Sequence, residues 1–318
     1  MNLVKLLFEF LIFPGLLYSA LLGLLLVGVR RKLKARVQGR VGPPLLQPVY
    51  DFLKLLFKES LTPRQASATV YTLAPLVAFA AVLTAVVIIP VGAYTALSFA
   101  GDLIVVLYLL ALALLMAVVG GSSSGNPYAA ISASRSLTML IVIEIPLAFI
   151  VASVALSAGT LSLTEIAAYQ RLTAPFIVKL LPTAAAFLFY IMAKLHFNPF
   201  TIPNAETEIL EGFLLEYSGV RLALFELAHA METYALISLF LNLFAPIPVL
   251  AQGLSGFILG VVVHAVTCIL LVVVITLIES TVARIRIDQM VKLYGIYVNG
   301  LAIVGLILSI VQGWLAWA

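Results

Sequence analysis

Eight windows of about 20 mostly apolar residues run through the chain, a length that lets an α-helix cross a bilayer core. They lie near 6–29, 70–92, 103–121, 136–158, 174–196, 220–245, 254–280 and 294–317. In hydrocarbon every backbone amide must be satisfied within its own segment, so runs of this kind fold as spanning helices. Composition agrees: 63% of the 318 residues are hydrophobic and 10% are charged, where a soluble domain has about 25% charged. The mean hydropathy is +1.18. So few charges cannot cover a water-facing surface, and lipid must be the solvent. The fold class expected is all-α, a polytopic membrane protein of about eight transmembrane helices forming one domain over residues 1–318. The first run is too long for a cleaved signal, and its basic cluster follows rather than precedes it. Pro14 and Pro146 fall inside windows, where membrane helices tolerate proline. Repeated halves, the mark of many transporters, are not visible.

Orientation follows from Lys and Arg. With the amino terminus outside, fifteen of the eighteen basic residues fall on inward segments: Arg30, Arg31, Lys32, Lys34, Arg36, Arg40, Lys54, Lys58, Arg64, Arg135, Lys194, Arg221, Arg284, Arg286 and Lys292. Lys5, Arg171 and Lys179 remain outside. Cytoplasmic loops retain such residues, so the chain is expected in the plasma membrane with both termini extracytoplasmic. The inner loops are then 30–69, 122–134, 197–219 and 281–293. The net charge of +4 belongs to this topology and is no footprint for nucleic acid.

Loop 30–69 carries nine basic residues against Asp51 and Glu59, a balance of +7. Anionic lipid accounts for part of that; a docked partner accounts for the surplus. Within it Val49, Phe52, Leu53, Leu56 and Phe57 recur at helical spacing, opposite Asp51, Lys54 and Lys58. The pattern predicts a short amphipathic helix of about four turns, opened by Pro48 and lying at the membrane interface. Loop 197–219 has the opposite sign, with Glu206, Glu208, Glu211 and Glu216 and no basic residue.

Ionisable groups inside spans are costly and mark function by default. Here they are Glu144, Glu226, His229, Glu232, His264 and Glu279; Glu9 and Asp102 lie near outer ends, within reach of headgroups. From the helical rise, Glu226 lies about 9 Å, Glu144 about 13 Å and Glu232 about 18 Å from the inner surface, with Glu279 at the inner rim. Glu226, His229 and Glu232 share about a third of one helix's circumference. Acids stepped to mid-membrane around an imidazole suit a proton relay. Haem ligation needs two histidines at one depth or one in a built pocket, and His229 and His264 differ in depth by about 11 Å. The single cysteine, Cys268, sits in an apolar run and reads as a small core residue. No phosphate loop, dinucleotide glycine pattern, nucleophile elbow or metal-ligand spacing occurs.

Three segments in order carry a family likeness. The first is Arg31-Lys32-Leu33, then Arg36-Val37-Gln38-Gly39-Arg40-Val41-Gly42-Pro43-Pro44 and Leu45-Leu46-Gln47-Pro48, through Asp51-Phe52-Leu53-Lys54-Leu55 to Lys58-Glu59. The second is Ser124-Gly125-Asn126-Pro127-Tyr128, with Arg135 and then Glu144-Ile145-Pro146. The third is Pro199-Phe200-Thr201-Ile202-Pro203-Asn204-Ala205-Glu206, leading to Glu216-Tyr217-Ser218-Gly219. Together they resemble the H subunit of complex I and its counterparts in energy-converting membrane hydrogenases, over essentially the whole chain.

The resemblance implies a non-redox-centre subunit of a multi-subunit oxidoreductase, joining a peripheral electron-transfer arm on the cytoplasmic side to antiporter-like membrane subunits. It implies no cofactor in this chain and iron–sulfur clusters in its partners, and it leaves a nickel–iron centre open. The acids Glu206, Glu208, Glu211 and Glu216 would join Glu144, Glu226, His229, Glu232 and Glu279 in a proton pathway. Arg31, Lys32, Arg36, Arg40, Lys54, Arg135 and Arg221 would hold the arm. In one respect the chain departs from the complex I pattern, which has a longer insert between the Arg-x-Gly-Pro and Leu-Leu-Gln-Pro elements. Here Gly42 to Pro48 runs straight through. That form resembles the hydrogenase branch and the related archaeal sulfane sulfur reductase, implying ferredoxin-driven pumping of protons or sodium. A quinone- or methanophenazine-reducing complex and a stand-alone transporter are the alternatives.

The basic asymmetry makes topology directly testable. Single cysteines placed in the four inner loops of a Cys268→Ser variant are expected to resist an impermeant thiol reagent on intact cells. Labelling of loop 30–69 from outside would reverse the assignment.

Overall fold

A computed structural model describes residues 3–210, 212–248 and 253–317, with the side chains at 3, 206, 207 and 315–317 outside that description. The described residues are helical, with no strand among them. In chain order the helices are α1 (Leu3–Leu11), α2 (Leu16–Val37), α3 (Gln47–Leu56), α4 (Ala68–Ile88), α5 (Asp102–Ser122), α6 (Pro127–Ala158) and α7 (Leu163–Leu172). They continue with α8 (Phe176–Lys179), α9 (Leu181–Lys194), α10 (Glu206–Ile209), α11 (Gly219–Phe244), α12 (Gly253–Thr281), α13 (Ile287–Lys292) and α14 (Asn299–Trp317). A stretch of π-helix, Leu293–Val298, joins α13 to α14.

Seven of the eight expected spans are helices long and apolar enough to cross a membrane, and the eighth is the shorter apolar α9. The difference in the fifth window has a local cause. Pro175 and Pro182 remove backbone donors, dividing the window into α8 and α9 with Leu180 between them. Fourteen residues of α9 measure only about 21 Å. By contrast α6 is 32 residues long, about 48 Å. It starts well before its apolar window because Asn126 caps it, accepting from the Tyr128 amide at 2.9 Å, with Pro127 in the first turn. It ends at Gly159, whose φ of 72° closes the last turn. Likewise α2 runs on to Val37, so Arg30 to Arg36 stand on helix rather than on loop.

Helix α11 is the central pillar. It packs against α2, α4, α3, α12, α7 and α9. It is also the least apolar of the long helices, and 83% of its best window is buried, against 22% for α12 and 28% for the last span. A helix facing lipid must be apolar around most of its surface; one walled in by protein can carry polar groups. The approach of α2 to α11 depends on Gly23, where a Cβ would lie 2.4 Å from the Ala230 carbonyl oxygen.

The interfacial helix is shorter than expected, at ten residues, and its apolar stripe divides. Val49 and Phe52 pack on the core, while Tyr50, Leu53, Leu56 and Phe57 remain exposed. The apolar pattern of the sequence gives no sign of α7. This helix lies in the loop between α6 and α8 and is bound there by polar contacts. Gln170 donates to the Asn242 and Leu243 carbonyls, at 3.2 and 3.0 Å. Arg171 donates to Gly92 and Ile247, at 2.7 and 3.0 Å.

Because Gly23 has no room for a methyl group, Gly23→Ala is expected to destabilise by about 1–3 kcal/mol. Gly300, with open space around its Cβ position, is the control. A lowered Tm in detergent for Gly23→Ala alone is the expected result, and equal Tm values would contradict this packing.

Candidate functional site

The three motif-bearing segments meet at one end of the helices. Gly219, at φ 59°, lets α11 begin against the first loop; a Cβ there would fall 2.5 Å from Ser60 Oγ and 2.6 Å from the Lys58 carbonyl. Ser60 Oγ accepts from the Val220 amide at 3.0 Å, and Arg221 donates to Thr62 Oγ1 at 2.6 Å. Tyr71 and Tyr217 stack at 4.1 Å, and the Tyr71 hydroxyl donates to the Glu216 carbonyl at 2.6 Å. Asn126, the cap of α6, donates from its side chain to the Glu216 carboxylate at 2.6 Å. Ser132 donates to the Pro203 carbonyl at 2.6 Å. These contacts explain why the three segments have the residues they do: each supplies a partner for another.

Sequence-predicted site residues divide into three groups here. Glu208 is exposed and clamped between Arg135 (2.8 Å) and Arg284 (2.9 Å). Hydrogen bonds from Arg135 and then Arg284 hold its carboxyl below the usual carboxylate range. Glu216 serves Asn126, and Arg221 secures the first loop. Arg31 pairs with Asp51 at 3.1 Å, and Gln47 donates to the same carboxylate at 2.8 Å. Arg36, Arg40 and Lys54 are exposed, Arg40 touching Gln38, and Lys32 is partly exposed. These form an exposed basic face. Glu211 and the Glu206 side chain lie outside the described residues.

The second group is mixed in exposure, with Glu232 buried and Glu144 and His229 partly exposed. Glu144 on α6 and Glu232 on α11 each have one buried carboxylate oxygen without a hydrogen-bond partner. His229 Nδ1 stands 4.0 Å from the other Glu232 oxygen, and Glu226 is exposed. Lys194, at the end of α9, is 1% exposed, and its ammonium has no hydrogen-bond partner. The charges acting on it are Glu232 and Glu144. Sequence reasoning counted Lys194 only as an inner-rim topological residue. Its neighbours Met192, Ala193 and Leu195 were the available signal, since a lysine flanked on both sides by apolar residues has little water to reach.

Glu279 stands apart from this group. Arg30 grips it bidentately at 2.8 and 2.9 Å, and Lys34 adds a third bond at 2.7 Å. The Arg30 guanidinium also stacks 3.6 Å over the Phe197 ring. Removing one partner from such a pair leaves a buried charge uncompensated and costs about 3–5 kcal/mol. Its geometry is that of a lock joining α12 to α2.

The third group is buried away from the motif-bearing segments. Glu9 and Asp102, expected near headgroups, are both fully buried. Glu9 accepts from Tyr94 at 2.9 Å and lies 3.6 Å from Lys5. Asp102 accepts from the Leu163 amide at 2.7 Å, setting the start of α7. Loops distant in sequence fold back over both carboxylates, and Glu9 keeps one buried oxygen, Oε2, without a partner. His264 bonds Ser238 at 2.9 Å and neighbours Tyr18 and the buried Cys268. Among the described residues no cluster of three or more His, Cys, Asp or Glu is arranged to hold a metal ion.

The family model described as NADH dehydrogenase matches residues 10–310 of this chain. The chain belongs to this family, and its kinship is with the H-type membrane component. It is 33% identical to the H subunit of NADH-quinone oxidoreductase from Geobacillus kaustophilus, covering 94% of this chain and 93% of that one. It is 36% identical to the same component from Anoxybacillus flavithermus, covering 89% and 87%. Among solved structures it matches a chain of the membrane-bound sulfane sulfur reductase, an archaeal respiratory membrane complex. There the TM-score is 0.86 at 30% identity, covering 96% of this chain and 98% of that one. It is therefore a membrane-embedded subunit of the complex I type.

The Glu208 clamp leads to a pH test. A carboxyl depressed in the fold contributes stability above its unfolded value, about 4.3, and loses it as pH falls through the folded value. Glu208→Gln is expected to speed amide exchange at 205–210 at pH 7, and the difference from the unsubstituted chain is expected to shrink as pH falls below about 4. Equal exchange at pH 7 would show that the clamp does not order the loop.

Proposed function

We propose that this chain is the membrane junction subunit of a ferredoxin-driven, ion-pumping respiratory complex of the sulfane reductase or hydrogenase type. It holds a peripheral redox arm on its cytoplasmic face and couples electron transfer there to proton or sodium movement through buried acids. The observation carrying this reading is the pair Glu144 and Glu232, each with a buried carboxylate oxygen lacking a partner. Buried carboxylates are mostly hydrogen-bonded or paired, as Glu279 is to Arg30 and Lys34; Glu9 also has an unpartnered oxygen, but its other oxygen accepts from Tyr94. Acids left unsatisfied inside a membrane protein are costly and are retained for a task.

The rest of the molecule fits the same reading. Arg31, Lys32, Arg36, Arg40 and Lys54 offer a basic face to an arm whose clusters belong to partner subunits. Exposed apolar surface on α12 and α14 fits antiporter-like membrane partners and lipid. The direct run from Gly42 to Pro48 and the likeness to the sulfane reductase chain favour that branch. The relatives from NADH-quinone oxidoreductases favour a second reading, quinone reduction; quinone retained by the purified complex would select it.

Substitution by Gln keeps size and hydrogen bonding while removing charge. Glu144→Gln and Glu232→Gln are expected to leave the complex assembled and its redox centres reducible, and to abolish ion uptake by proteoliposomes. A normal ratio of ions to electrons in both variants would return these acids to a structural role worth about 1 kcal/mol or less each.

A further inference from the structure

Helix α9 packs against both α6 and α11, the two helices that bear Glu144 and Glu232. It ends on Lys194, whose buried ammonium is under the influence of both acids and hydrogen-bonded to neither. One turn earlier Tyr190 is fully buried with an unpartnered hydroxyl, and it too is influenced by Glu144, Glu232 and Tyr294. Two residues later the buried His196 neighbours Ser136 at 3.5 Å and is influenced by His229 and Lys194. Four polar atoms on three helices are thus orphaned together: Glu144 Oε1, Lys194 Nζ, Tyr190 Oη and Glu232 Oε1. Buried polar groups are almost always bonded, and each exception calls for a cause.

A structural ion pair would have closed. The same molecule shows what closure looks like, with Glu279 held at 2.7–2.9 Å by Lys34 and Arg30. Lys194 is influenced by two acids on the helices flanking α9 and bonds neither. We propose that Lys194 is the proton carrier between Glu232 and Glu144, linking α11 to α6 across α9. This rests on the relay reading above and adds to it the intermediate group that the two acids lack. The step balances without an oxidant or reductant. The Lys194 ammonium gives a proton to the Glu144 carboxylate and becomes a neutral amine; the amine then takes the proton of protonated Glu232, leaving that acid ionised. One proton has moved from Glu232 to Glu144 and Lys194 is restored. A buried lysine is suited to this because its ammonium releases a proton readily once desolvated.

Arginine separates a carrier from a fixed charge, since its guanidinium stays protonated in proteins. In the complete complex, Lys194→Arg and Lys194→Gln are expected to assemble and transfer electrons. Ion uptake per electron should fall by roughly a hundredfold in both, the scale of losing one positioned proton-transfer group. Normal pumping by Lys194→Arg would make Lys194 a fixed charge, and normal pumping by Lys194→Gln would make it structural; either overturns the proposal. Redox-induced infrared difference spectra give a second readout. Carboxyl bands assigned through Glu144→Gln and Glu232→Gln should change in opposite senses in the unsubstituted complex and vanish in both Lys194 variants. If the bulk of Arg blocks assembly, persistence of those bands in Lys194→Gln overturns the proposal by itself. Loss of pumping in the acid variants with normal pumping in Lys194→Arg defeats this inference alone. Normal pumping in the acid variants defeats the relay reading beneath it.

Discussion

Hydrocarbon cannot solvate a charge, so the helix that carries the most ionisable chemistry has to be hidden by the others. Helix α11 bears Glu226, His229 and Glu232 and is accordingly the least apolar and the most enclosed of the long helices. Much else in the structure serves that enclosure. Gly23 lets α2 press its backbone against Ala230, and Gly219 lets the first loop close over the start of α11. At the outer end Gln170 caps the last carbonyls of α11, and α7 is bound above it. Helices α12 and α14, left at the edge, are strongly apolar because lipid or a neighbouring subunit is their surroundings.

Two kinds of buried charge result, and the contrast gives the site its meaning. At the inner rim Glu279 is saturated by Arg30 and Lys34, while Arg30 also covers Phe197. That cluster has one arrangement and holds α2, α12 and the loop after α9 together. Deeper, Glu144, Lys194 and Glu232 share a low-dielectric space without direct bonds. Buried groups without bonds are exceptions in folded proteins, and the contrast with the saturated Glu279 cluster sets these apart. One molecule therefore contains a locked charge cluster and an unlocked one, joined through the turn that follows Lys194.

The inner face is organised by the same economy of partners. Glu208, Glu216, Arg135, Arg221 and Arg284 mostly satisfy one another or the loops. What remains for another protein is the exposed part of the first loop, with Arg36, Arg40 and Lys54. Acidic and basic residues that look alike in sequence thus have different work, some closing the loops and some facing outward.

The sequence by itself determined the membrane setting, the all-helical fold and the family. Each of these depends on local properties: apolar run length, residue order within motifs, and the near absence of charge. It also singled out Glu144 and Glu232, because an acid within an apolar run stands out from its neighbours. Only the tertiary structure decided which charges are paired. Arg30 and Glu279 are 249 positions apart, and nothing in either neighbourhood names the other. The same holds for Glu9 and Asp102, buried because distant loops fold over them, and for Lys194, whose acids arrive from two other helices. Pairing in a membrane protein is set by which helix faces meet, and that depends on the packing of the whole bundle rather than on any one segment.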